Sequence, residues 1–315
     1  MKNKYIFLFF ITLLSCSKEN LSNNSVIDSN IIKRQYTELD TYITNEFINP
    51  YGISVEYRWN NNTAPKGNYA YPPETDKVQE VLKAIKYLWL ETYTLSNIGG
   101  SDFMKGKNPI KIYMYGGKNL DSNGVELISN PNSGAIEMHL YNINEFNPKN
   151  ATQVYILMRS VHHQFAKRLL ELFPYNRDKF VTISQKKYIS STEEIKQISG
   201  LTRSELFGIE SYANKRGFFT QHSRLSAEDD FAEIISVMLT NSQKEVEQAF
   251  TTAQTPDTDS DPEVQQRYNQ EAKEAYAEIT QKQAMVTDYF KKEIKINLTR
   301  MQTISVQRIK AYINQ

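Results

Sequence analysis

Leu39, Tyr42, Ile43 and Phe47 recur at helical spacing up to Pro50, which predicts a first helix ending there. The period then changes. Ile53, Val55, Tyr57 and Trp59 alternate with polar residues, the mark of a half-buried strand. Residues 60–73 carry Pro65, Gly67, Pro72 and Pro73 and predict a loop. Val78, Val81, Leu82, Ile85, Leu88 and Trp89 predict a second helix, broken near Gly99-Gly100. Ile110, Ile112 and Met114 predict one strand and residues 135–140 another, with a Gly-, Asn- and Pro-rich turn region between them. From Thr152 the pattern is helical. Val154, Leu157, Met158, Val161, Phe165, Leu169 and Leu172 share one broad face until Pro174 stops the helix. Residues 251–262 read as an exposed break. Its Asp257, Asp259 and Asp261 lack the Gly and terminal Glu of a calcium loop. Residues 263–297 read as one long amphipathic helix, with Tyr268, Ala272, Ala275, Ile279, Val286 and Phe290 inward, and residues 298–313 as another.

One apolar run has no period. Residues 5–14 are apolar apart from Thr12 and follow Lys2 and Lys4. As a helix they rise about 15 Å, half a bilayer core, so the run reads as the centre of a signal peptide rather than a span. It ends in Leu13-Leu14-Ser15-Cys16, which looks like a bacterial lipobox. Cys16 is the lone cysteine of 315 residues, and its position predicts lipidation. The Ser- and Asn-rich stretch behind it is too polar to pack and serves as a tether. The expected organisation is therefore a signal peptide over 1–15, a tether over 16–30, a main domain over 31–250 and a C-terminal helical extension over 251–315, packed on the same domain.

Composition narrows the function classes. Charged residues make up 23% and aromatics 12%, an ordinary globular balance that excludes global disorder. The net charge of +1 excludes a strongly basic nucleic-acid binder. Removing Lys2 and Lys4 with the signal leaves 35 Lys+Arg against 36 Asp+Glu, so acyl chains rather than a basic patch would hold the chain to a membrane. A single Cys excludes a disulfide framework or Cys-rich zinc ribbon.

Candidate chemistry lies on the helix after Thr152. Arg159, His163, Lys167 and Glu171 recur every four residues, a rotation of about 400°, and so form one stripe. Zinc hydrolases place two His in an HExxH motif on such a face, with the Glu polarising the metal's water. Here His163 opens H-Q-x-x-K and His162 opens H-H-x-x-A. Neither is a zinc motif, and on the residues alone a structural role for the two His is favoured. His139 reads as a surface residue on a strand face and His222 as a solvated loop residue. Ser226 reads as an N-cap ahead of an acidic first turn, Glu228-Asp229-Asp230.

Several segments in order resemble the substrate import-associated zinc metallohydrolase lipoproteins, which accompany paired outer-membrane transporters and binding lipoproteins. They are the lipobox, Thr37-Glu38-Leu39-Asp40, Pro50-Tyr51-Gly52-Ile53, Val55-Glu56-Tyr57-Arg58-Trp59, the helix over 162–172, Thr182-Ile183-Ser184, Gly217-Phe218, Asp229-Asp230-Phe231-Ala232-Glu233, Lys282 and Tyr289-Phe290. The resemblance covers nearly the whole mature chain. It implies an α+β, zincin-like metallopeptidase fold with a small mixed sheet and a helical C-terminal half.

The family helix reads roughly HHEFAHIL. Against it, His163 matches the first metal ligand, Gln164 replaces the general-base Glu and Lys167 replaces the second ligand His. Asp229 stands at the third ligand, Glu233 matches a supporting carboxylate, and His222 stands where the family often has a transition-state Tyr. Gln164 cannot accept a proton, and a protonated Lys167 offers no lone pair. The resemblance implies zinc in relatives. The replacements predict a metal-free site in which Lys167 supplies the missing positive charge to Asp229 or Glu233. The expected function is that of an inactive substrate- or partner-binding accessory, outer-membrane anchored, in a nutrient-uptake system. The alternatives are an active metallohydrolase with an altered metal site and a purely structural lipoprotein.

Overall fold

Residues 36–58, 70–131, 133–198 and 200–315 are described by the computed structural model. Cys16, the segments over 1–15 and 16–30, Trp59, Pro65 and Gly67 lie outside them. Helix α1, Glu38–Ile43, continues through a π-helical turn, Thr44–Ile48, into Asn49–Tyr51. Pro50 does not end it. Its missing N–H falls where the π turn has already shifted the hydrogen-bond register, and Gly52, at φ 69°, closes the helix instead.

Strand β1, Ser54–Glu56, is followed by α2, Thr75–Ile85, which extends through a π turn, Lys86–Leu90, to Tyr93. Then come β2, Lys111–Met114, and β3, Glu137–Leu140. The sheet order is β1-β2-β3, with Val55 opposite Ile112 and Ile112 opposite Met138. Both pairings are parallel, which corrects the mixed sheet expected above. Each connection is long enough for a crossover, α2 in the first and residues 115–136 in the second.

Helix α3, Ala151–Leu172, starts where the Asn150 side chain accepts from the Gln153 N–H. It ends ahead of Pro174, whose ring forces Phe173 out of helical geometry. Next come α4, Arg177–Ser184, and the short α5, Glu193–Lys196, α6, Arg203–Phe207, and α7, Ser211–Asn214. Helix α8, Ala227–Thr240, is capped by Ser226, which accepts from the Asp229 N–H at 3.0 Å. Helix α9, Gln243–Gln254, runs past the break expected from 251, so only 255–261 are irregular. Helix α10 spans Pro262–Tyr289, and a π turn, Phe290–Ile294, with Lys295 at φ 62° ends the predicted long helix early. Helix α11 is Leu298–Ile313.

Residues Leu39–Gln315 form one compact unit. Its centre is α8, where Ala232, Ile234, Ile235, Val237 and Leu239 are all fully buried. A helix apolar on every side needs neighbours all round. Phe231 packs on Tyr175, Phe180 and Tyr289, and the Ser305 hydroxyl of α11 donates to the Leu239 carbonyl at 2.6 Å. On α3, Phe165 meets Trp89 and Tyr93 edge-on. Among the described residues, no helix is long and apolar enough to cross a membrane.

Candidate functional site

The polar stripe of α3 faces the two carboxylates that α8 carries one turn apart. Buried Arg159 is held at both ends: its Nε donates to the Phe207 carbonyl at 3.0 Å, and its Nη atoms reach Ser236 and the Glu233 carboxylate. Glu233, also buried, accepts from the Thr220 hydroxyl at 2.6 Å and lies 2.8 Å from His163 Nδ1. His163 Nε2 is 3.4 Å from Asp229 Oδ1, an electrostatic contact rather than an aligned hydrogen bond. The same Asp229 oxygen is 3.0 Å from Lys167 Nζ. The result is a chain of alternating charge, Arg159, Glu233, His163, Asp229, Lys167, that runs from the core to the surface.

Each link perturbs its neighbours. Burial alone would raise the carboxyls, but Arg159 and His163 hold Glu233 below its ordinary value. His163 and Lys167 likewise hold Asp229 low against its own desolvation. Burial opposes a charged His163, yet its contacts with Asp229 and Glu233 outweigh that and raise its pKa. The ring is therefore stabilised as a cation between two anions.

Gln164 faces elsewhere. Its Oε1 accepts from the His139 N–H at 2.7 Å, and its Nε2 donates to the His139 carbonyl at 2.9 Å and to the Ser160 hydroxyl at 3.0 Å. The amide pairs with β3 as another strand would. A glutamate here would set a carboxylate oxygen against a carbonyl. The cavity bordered by Gln164, Lys167, Glu137 and Asn130 holds about 20 Å³, room for about one water.

Two histidines depart from expectation. His139 is buried, not on the surface: its ring stacks on Tyr113 and Tyr115, and Nδ1 is 2.9 Å from the Tyr115 hydroxyl. His222 is buried too, not solvated, because its 3-10 turn folds under Phe207 and Nε2 meets the Glu126 carbonyl at 2.9 Å. Desolvation lowers the pKa of both. His222 is thus bonded to backbone, apart from the contacts that join His163 to Asp229 and Glu233. His162 is buried with neither ring nitrogen bonded among the described residues, and burial pushes its pKa down to about 3. Arg159 and Thr220 are the members that sequence reasoning missed as site residues. Arg159's place one turn before His163 on the stripe was the available signal; Thr220 had none.

Zinc does not fit this donor set. A structural or catalytic zinc wants three or four protein ligands. Here His163 has a carboxylate at each nitrogen, Glu233 is saturated by Arg159, Thr220 and His163, and Asp229 carries an ammonium. Among the described residues, no three His, Cys, Asp or Glu side chains are arranged to hold a metal ion.

No curated protein matches the chain. The chain is similar to a solved structure, the crystal structure of a putative zinc-binding metallo-peptidase from Bacteroides caccae. The two share 21% identity and a TM-score of 0.60, over 88% of this chain and 93% of that one, a likeness of fold. A family model covers residues 32–299, and the chain belongs to the family that it describes, the putative zinc-binding metallo-peptidases.

Proposed function

We propose that this chain is a metallopeptidase-like lipoprotein whose metal chemistry has been replaced by side-chain charges. In this reading it is a non-catalytic, substrate- or partner-binding accessory of an outer-membrane nutrient-uptake system, anchored through Cys16. The 3.0 Å contact between Lys167 Nζ and Asp229 Oδ1 carries the reading, since it sets a fixed cation where the family's second ligand would stand. One further observation supports it. Gln164 spends its amide on the β3 backbone and has no basic lone pair for a water.

The experiment compares the detergent-solubilised chain with Cys16→Ala for membrane partition and for turnover of a peptide panel with and without chelator. Lipid-dependent partition without chelator-sensitive turnover is expected. Loss of a general base costs about 10²–10⁴-fold, so turnover at the rate of an intact zinc peptidase would overturn the inactive reading. Unchanged partition of Cys16→Ala would overturn the anchor.

A further inference from the structure

Ile112, Met114, Met138 and Leu140 belong to the core, so period-2 alternation sends Tyr113, Tyr115, His139 and Tyr141 to the other face of the sheet. The Tyr115 N–H donates to the Leu140 carbonyl at 2.8 Å, which carries the β2–β3 pairing one residue past the strand. The four rings form one nearly parallel run. Tyr113 and His139 are 4.9 Å apart at 16°, His139 and Tyr115 5.8 Å at 5°, and Tyr115 and Tyr141 4.5 Å at 15°. Tyr115 and His139 are buried, whereas Tyr113 and Tyr141 at the two ends are half-buried.

The polar atoms at the centre of the run are set for proton transfer. The Tyr115 hydroxyl is 2.9 Å from His139 Nδ1, and His139 Nε2 faces Glu137 Oε2 at 3.6 Å. Burial lowers the His139 pKa, so the ring is neutral. The nearby carboxylate favours the ring's one N–H on Nε2, which leaves Nδ1 to accept from the Tyr115 O–H. The Glu137 side chain is 35% exposed and connects the ring to water. Gln164 holds the His139 N–H and carbonyl at 2.7 and 2.9 Å and so anchors the residue that carries the acceptor. A phenol gives up an electron far more readily when its proton leaves with it, and an acceptor within hydrogen-bond reach is what that requires.

We propose that Tyr115 is a redox-active tyrosine, which takes up one-electron oxidising equivalents delivered by oxyl or peroxyl radicals to the outer rings Tyr113 and Tyr141. The oxidant accepts one electron through the ring run and leaves as its oxyanion. The Tyr115 O–H bond breaks, the proton bonds to His139 Nδ1, and a neutral phenoxyl radical remains. The imidazolium so formed turns its Nε2–H to the Glu137 carboxylate. One electron from a thiolate and the proton from Nδ1 restore the phenol. This chemistry does not depend on whether the α3–α8 site binds a metal.

Flash oxidation of the full chain in detergent by photogenerated ruthenium(III) tris-bipyridine, followed by electron paramagnetic resonance, tests it. The wild type in D2O should give a tyrosyl radical coupled to one exchangeable, hydrogen-bonded deuteron. Tyr115→Phe keeps the ring and should lose that signal. His139→Phe should lose the deuteron coupling and shorten the lifetime of any radical formed. Glu137→Gln, on the half-exposed residue, guards against a folding defect and should also shorten the lifetime. Tyr57→Phe and Tyr188→Phe remove phenols that donate to Asp40 and Asp230, and should leave the signal unchanged. The proposal is overturned by a wild type without a tyrosyl radical, or by a coupled radical that survives in Tyr115→Phe or is lost in Tyr57→Phe or Tyr188→Phe. It is equally overturned if His139→Phe leaves the coupling intact, or if neither His139→Phe nor Glu137→Gln shortens the lifetime.

Discussion

Asp229 and Asp230 are neighbours in the first turn of α8, and each meets a lysine from another helix. Lys167 reaches Asp229 at 3.0 Å with side chains 32% and 21% exposed. Lys282 of α10 reaches Asp230 at 2.8 Å with both side chains fully buried. Lys282 also lies 3.7 Å above the Phe218 ring, and Tyr188 donates to the same Asp230 oxygen, while Oδ1 has no hydrogen-bond partner among the described residues. Desolvation decides the difference. It lifts the Asp230 carboxyl to about 6 despite Lys282, whereas at Asp229 the surrounding cations prevail and keep the carboxyl low. One pair is a structural tie taken out of water. The other is the outer end of a charge chain that water still screens.

Breaking the inner tie should cost most. Lys282→Met leaves a buried carboxylate and is expected to destabilise the domain by about 3–5 kcal/mol, while adding Asp230→Asn should return much of that loss. Urea midpoints of the two variants measure it. If Lys282→Met costs no more than a change at Lys167, the contrast fails.

The buried histidines sharpen the contrast with pH. His162 and His222 have folded pKa values below the ordinary 6.5, so the unfolded chain takes protons first. Their contribution is present above about pH 6.5 and falls as pH drops toward the folded values, by up to about 1.4 kcal/mol per unit for each. Asp230, raised to about 6, has the opposite sign and offsets part of this between its unfolded value and pH 6. His163, raised, contributes fully below about 6.5 and loses that contribution as pH climbs through its folded value. Urea midpoints at pH 5, 6.5 and 8 should therefore show a smaller acid loss in His162→Phe and a smaller alkaline loss in His163→Gln. A His162→Phe profile parallel to wild type would contradict the burial argument.

Lys167→Ala should have the smallest effect, about 1 kcal/mol or less, as for a screened pair. A loss as large as that of Lys282→Met would mean that the outer pair is tied as tightly as the inner one.

Two helix ends were legible from local chemistry, the start of α8 at its Ser226 cap and the end of α3 before Pro174. The stripe of α3 was legible too, since helical period alone aligns Arg159, His163 and Lys167. The depth of polar residues was not. His139 and His222 look like surface residues in sequence because their partners, the Tyr115 hydroxyl and the Glu126 carbonyl, come from distant segments. Lys282 sits in a polar stretch of α10, and nothing local announces that Asp230 will meet it. Gln164 reads as a lost base. Its second role needs the β3 backbone at the right height, which only tertiary packing supplies.

Zinc content tests the central claim most directly, that side-chain charges now occupy the metal's place. The purified full chain, stripped with chelator, is dialysed against zinc and assayed for bound metal beside Gln164→Glu/Lys167→His and the same pair with His163→Ala. The account predicts no stoichiometric zinc in the wild type, uptake in the double variant, and loss of that uptake when His163 is removed. One zinc per wild-type chain that disappears in His163→Ala would contradict it.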